Sequence, residues 1–216
     1  MIRKGAPWGR PASGPPDREV HGGDATLAAW VATAPGGLVR FVPTDDSDLA
    51  RAVGVRAGGE PGGTEVPMDV LVLADGSWAV NAVVLGTPPD RCSRWSRRHP
   101  LRVRVDGRDV FEGHATGVVV ATGQWLRGVD VVPRGHPGDG RAEVQVYRLR
   151  PAERRTMRAR LPEGAHVPHP RIVQAAGRTV EVVVARPVAY EVDGRPRAPV
   201  ARFEARVRPA AYRLLV

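Results

Sequence analysis

From residue 68 onward, apolar side chains alternate with polar ones in short runs, as in Val70 and Val72, Trp78 and Val80, Val103 and Val105, and Val118 and Val120. A period of two marks strands with one face toward a core. Asp75-Gly76, Asp106-Gly107 and Asp193-Gly194 fall between such runs. Both residues of an Asp-Gly pair tolerate positive φ, which is what tight hairpins need. The pattern predicts an antiparallel sheet folded as a sandwich or barrel. One helix interrupts it: Pro151 suits a first turn, and Met157 and Leu161 lie one turn apart on an apolar face. Strands resume over 171–185, 188–192, 199–208 and 211–216.

Ahead of residue 68 the pattern changes. VHGGD at 20–24 closes a short strand with a tight turn, and Thr26 caps the helical stretch LAAWVATA, which stops at Gly36 and Gly37. LVRFV at 38–42 is a strand, and Asp48 to Val53 form a helix ending at Gly54. These signals divide the chain into a flexible lead-in (1–16), an abbreviated α/β segment (17–57), a Gly/Pro-rich linker (58–67) and a β-rich domain (68–216), an α+β protein overall.

Composition narrows the function classes. The formal charge is +9, and Lys4 is the sole lysine among 32 basic residues. Such a chain suits an anionic partner, although arginine scattered over strand faces gives the same total with no ligand. Arg148, Arg150, Arg154, Arg155, Arg158 and Arg160 form a cationic ridge on and around the helix that Pro151 begins, able to touch lipid headgroups or phosphates. No run reaches the ~18 apolar residues that cross a bilayer, and Met1 to Pro16 lack the apolar core of a signal peptide. The expectation is a cytoplasmic protein, peripheral at a membrane where it meets lipid. Cys92 is the only cysteine, which excludes an internal disulfide and a cysteine metal cluster. No GxSxG is present to suggest a hydrolase.

Gly22-Gly23-Asp24-Ala25-Thr26, between a strand and a helix, has the form of a phosphate cradle, where backbone N–H groups and the helix N-terminus meet an anion. The series HGGDATLAAW, VPTDDSDLARAVG, WAVNAVVLG, VDVVPRGHPGDGRAEVQVY, GAHVPHPRI and YEVDGRPR then resembles, in order, the diacylglycerol kinase catalytic-domain family of lipid kinases, relatives of NAD kinases. The resemblance covers residues 18–216. It implies a truncated NAD kinase-like α/β segment followed by a larger β-sandwich or barrel with one inserted helix. It also implies ATP and Mg²⁺ as cofactors and phosphorylation of a lipid hydroxyl as the family reaction. Gly22, Gly23, Asp24, Ala25, Thr26 and Asp48 match its nucleotide-binding positions, with Ala25 where the family has glycine. Asp139 matches an acidic residue that helps to hold Mg²⁺, Asn81 an asparagine at the domain junction, and His166, His169 and Pro170 an HxxHP stretch.

The departures bear on activity. Only about twenty residues stand where family members place two further βα units, Asp45 and Asp46 put carboxylates where the family has small neutral residues, and Arg195 occupies the position of the V-D-G-E glutamate that would accept the lipid hydroxyl's proton. Arginine cannot serve as a base. Asp193, two residues away, is a substitute only if its turn leaves it free. Three readings follow. One is a lipid-kinase-like protein with a degenerate ATP site that binds a lipid or a partner. Another is an active kinase completed by oligomerisation, as in a homodimer. The third is a basic nucleic-acid-binding β-domain, which rests on charge alone because the five Trp are not interleaved with Arg along a strand pair.

Overall fold

The structure is a computed structural model that describes residues 8–44, 47–56, 58 and 62–216. Asp45 and Asp46, the carboxylates expected beside a triphosphate, lie outside the described residues. The chain begins with β1 (Arg10–Pro11), β2 (Arg18–Gly22), helix α1 (Asp24–Thr33), β3 (Leu38–Pro43) and helix α2 (Asp48–Val53). Next come β4 (Thr64–Leu73), β5 (Trp78–Ala79), β6 (Ala82–Gly86), β7 (His99–Val105), β8 (Arg108–Ala115) and β9 (Gly117–Ala121). After them lie β10 (Trp125–Leu126), β11 (Val129–Asp130), β12 (Ala142–Tyr147), helix α3 (Pro151–Arg160), β13 (Ile172–Gly177), β14 (Thr179–Val192) and β15 (Arg195–Leu215).

The β-rich part is an antiparallel sandwich, and its sheet does not close into a barrel. β14 makes two layers from one sheet. Its Val180–Val184 stretch pairs with β7, its Tyr190–Val192 stretch pairs with β6, and the register shifts between Val183 and Tyr190 turn the strand from one partner to the other. Between the layers lie Val103, Val118, Val120, Val144, Val180, Val182 and Phe203. The valine run at 118–120 breaks strict alternation because β9 is covered on both faces. Val118 and Val120 face the sandwich core, while Val119 joins Leu149, Met157 and Leu161 under α3. The three Asp-Gly signals all hold as turns, with Asp193 at φ 45° and Gly194 at φ 76° between β14 and β15.

The α/β part is built onto the same sheet. β2 runs parallel to β3, and β3 parallel to the end of β15. Helix α1 buries Leu27 and Val31 against Val39, Phe41, Met68, Tyr212 and Leu214.

Several expectations change. Gly23, not Thr26, is the N-cap of α1, because the helix begins at Asp24 and Thr26 already lies in its first turn. The strands expected over 199–208 and 211–216 are one strand, β15, whose pairing with β4 shifts register between Arg208 and Tyr212. In the expected lead-in, Arg10 and Pro11 pair with β4, and Trp8 packs beside the α1 core. In the expected linker, β4 has already begun at Thr64. Arg154, placed on the basic ridge by its charge, is buried at 2% exposure.

Candidate site at the carboxyl ends of β2 and β3

Parallel β2 and β3 end side by side, with Gly22 opposite Pro43, and the next residues open toward α1 and α2. Ligands of open α/β sheets bind outside such carboxyl ends. Gly22 turns the chain at φ 141°, and a Cβ there would meet the Thr26 hydroxyl oxygen at 2.9 Å. Gly23 caps α1 without a side chain, so no side-chain oxygen competes for the orphan N–H groups of the first turn. Ala25 and Thr26 are half-buried in that turn. Beside Thr44 a cavity of about 450 Å³ runs along α2, lined by Ser47, Ala50, Arg51 and Arg56 among others. The Thr44 N–H donates to the Gly22 carbonyl at 2.9 Å, so the glycine turn with the α1 N-terminus and the cavity with its two guanidiniums lie on either side of Thr44, and both have the chemistry that meets an anion.

Among the described residues, the carboxylates around this site turn inward. Asp24 accepts hydrogen bonds from the Ser47 hydroxyl at 2.6 Å and the Leu49 N–H at 3.2 Å, tying α1 to the start of α2. Burial, reinforced by the nearby Asp193 charge, pushes its pKa up to about 7. Asp48 accepts from the N–H groups of Arg127 and Gly128. The Arg127 guanidinium in turn pairs with Asp90 and Glu191. Asp193 accepts three backbone N–H bonds, from Val80 at 2.8 Å and from Asn81 and Ala82 at 3.0 Å each. Burial outweighs these bonds and raises its pKa to about 6. Asn81 donates its amide to the Trp125 carbonyl at 3.0 Å, while its own Oδ1 is buried without a partner. Arg195 is exposed at the start of β15, opposite Val192.

The structure thus gathers Gly22, Gly23, Asp24, Asp48 and Asp193 at one junction, while Asp139 keeps other company. Its carboxylate accepts from the Arg141 N–H, and its charge acts on Asp69 and Glu143. Among the described residues no group of three or more His, Cys, Asp or Glu side chains could hold a metal ion. A Mg²⁺ here would need phosphate oxygens or water to complete its shell. His166 is buried against Tyr147 and Gln145 with its pKa pushed down to about 4 by burial, and His169 accepts from the Arg171 N–H. Sequence reasoning missed the link between Asp24 and Asp193 and the bridge from Ser47 to Asp24. Serine before the DLARAV helix was the signal for the second, and no local pattern carries the first.

Residues 91–216 match the family model described as the YegS C-terminal NAD kinase beta sandwich-like domain. No curated protein matches the sequence significantly. A putative diacylglycerol kinase from Bacillus anthracis str. Sterne superposes with a TM-score of 0.74 at 15% identity, covering 92% of this chain and 78% of that one. Yeast NADH kinase complexed with NADH superposes at 0.52 and 14% identity, covering 93% and 61%. An NAD kinase from Archaeoglobus fulgidus in complex with ATP does so at 0.51 and 14% identity, covering 93% and 78%. At these identities the likeness establishes the fold, and the family match, which spans more than half of the sequence, establishes the kinship. The chain belongs to the family defined by the YegS C-terminal NAD kinase beta sandwich-like domain.

Proposed function

We propose that this chain is a lipid-kinase-like protein that keeps an anion-binding turn at the start of α1, is impaired in phosphoryl transfer, and acts by binding lipid. Transfer to a lipid hydroxyl requires a group that takes its proton. The observation that carries the proposal is the state of the β14–β15 hairpin: Asp193 is buried under three backbone N–H donors, and exposed Arg195 is permanently cationic. Neither group can act as a base toward an incoming hydroxyl. The test is transfer of labelled γ-phosphate from ATP to diacylglycerol and related lipids in mixed micelles with Mg²⁺. The wild-type chain is expected to give no turnover above blank, and Arg195→Glu to raise it.

Asp24 supports a second reading. A carboxyl lifted to about 7 by burial suits a general base near neutral pH. On this reading the wild-type chain turns over and Asp24→Asn loses about a hundredfold or more. Turnover with that dependence would overturn the impaired reading and leave an active kinase.

A further inference from the structure

The segment joining β6 to β7 contains Arg91-Cys-Ser-Arg-Trp-Ser-Arg-Arg98, four arginines and no acid. Trp95 stands at its tip, 80% exposed, and no other Trp, Tyr or Phe among the described residues is exposed. A soluble fold gains roughly 2 kcal/mol or more by burying a side chain of this size, so an indole left in water needs a reason. The guanidinium of Arg94 lies 4.4 Å from its ring centroid.

The tip is built to stay out. Ser96 Oγ accepts from the Ser93 N–H at 2.9 Å, and the Ser96 N–H donates to the Ser93 carbonyl at 3.1 Å. From beneath, Arg154 of α3 donates to the carbonyls of Ser93, Arg94 and Ser96 at 3.0, 3.2 and 2.8 Å and to that of Leu149. A buried guanidinium therefore grips the backbone on both sides of Trp95. Arg158, one turn further along α3, reaches the Cys92 carbonyl at 3.4 Å.

The surface around the tip carries unbalanced positive charge. Among the described residues, none of Arg94, Arg97, Arg98 and Arg158 has an ion-pair partner. The one acid on α3, Glu153, is engaged by the Arg150 N–H and by Arg171. One indole with an arginine collar combines the two weak signals that peripheral membrane binding requires: an amphipathic ring for the headgroup zone and cations for anionic lipid. A single-strand nucleic-acid platform would need successive stacking rings instead. The segment also connects to the site, because Asp90, next to Arg91, pairs with the Arg127 guanidinium, and Asp48 holds the Arg127 N–H.

We propose that the Arg91–Arg98 segment, backed by α3, docks this protein on anionic phospholipid bilayers, Trp95 entering the headgroup zone and Arg94, Arg97, Arg98 and Arg158 binding lipid phosphates. This names the lipid surface served by the function proposed above. It rests on that reading only for its purpose, since the test contains no nucleotide and a kinase assay leaves it untouched.

The full chain is sedimented with vesicles of phosphatidylcholine alone and of phosphatidylcholine mixed with phosphatidylglycerol. It should partition onto the anionic vesicles, stay in solution with the neutral ones, and be released as salt rises. Trp95→Ala should weaken partitioning about tenfold, and Arg94→Gln and Arg97→Gln roughly fivefold each. All three side chains are exposed, so melting temperatures should not move. Arg108→Gln, at the far tip of the β7–β8 hairpin, should bind like the wild type. A wild-type chain that ignores anionic vesicles at low salt overturns the proposal. So do Trp95 and arginine variants that partition normally, equal binding to neutral vesicles, or a Trp95-dependent affinity for single-stranded DNA without vesicle binding.

Discussion

Asp24 and Glu65 are both buried, yet their pKa values move in opposite directions. Asp24 has its pKa raised from 3.8 to about 7, with burial the larger cause and the Asp193 charge the next. Between those values the folded protein keeps a proton that the unfolded chain has released, so stability falls as pH rises through that window and levels off above it. Asp193, raised to about 6, acts in the same direction. Glu65 is pulled down from 4.5 to about 2, mainly by its hydrogen bond from Arg10, so its contribution is present above 4.5 and is lost as pH falls toward 2. We expect the urea midpoint to fall between pH 5 and pH 8, and the fall to be shallower in Asp24→Asn. An unchanged slope in that variant would show that Asp24 ionises normally. Glu65→Gln should lose the acid limb while keeping the decline above pH 5.

Helix α3 shows what a charge pattern conveys and what it conceals. Its start at Pro151 and its apolar face, Met157 with Leu161 just past its end, were legible in the sequence, as were the hairpins, because Asp-Gly allows few other backbones. Arg154 was read as part of an exposed ridge, since a basic stripe counts charges without saying which way each points. The guanidinium turns inward because the carbonyls of Ser93, Arg94 and Ser96 have no other hydrogen-bond partner in the segment it grips, apart from the Ser96 N–H on Ser93. Replacing Arg154 by Met would leave the Arg94 and Ser96 carbonyls unpaired, at a cost of about 3 kcal/mol. Urea unfolding should show that loss, and vesicle binding should weaken with it because the Trp95 tip is no longer held. A cost below about 1 kcal/mol would mean that water replaces the guanidinium without penalty. β15 was missed as one strand for a related reason: Pro209 and Ala210, the latter at φ 46°, read as a break, whereas β4 pairs on both sides of the irregularity.

Across the molecule, the junction was the least legible feature, because the contacts that form it join distant stretches of sequence. Asp193 reaches Val80, Asn81 and Ala82, and Asp48 reaches Arg127 and Gly128, with no spacing rule behind either. The family motifs located the Gly22–Gly23 turn but not the inward rotation of Asp24. The same long-range pairing bears on where the chain divides. A composition break at 58–67 suggests an independent β-rich unit beginning at residue 68, yet β15 pairs with β14 in its first half and with β4 and β3 in its last. Met68, Val70, Tyr212 and Leu214 are each fully buried in the cluster that α1 and β3 cover. Removing residues 1–57 would expose these four, forfeiting roughly 6–12 kcal/mol, which is comparable to the whole stability of a domain. The 68–216 fragment should therefore fail to unfold cooperatively. The full chain should melt in a single transition whose circular dichroism and tryptophan fluorescence curves coincide. A fragment with a sharp transition of its own, or two separated transitions in the full chain, would restore an independent boundary in the linker and make the shared strands a docking contact between two units.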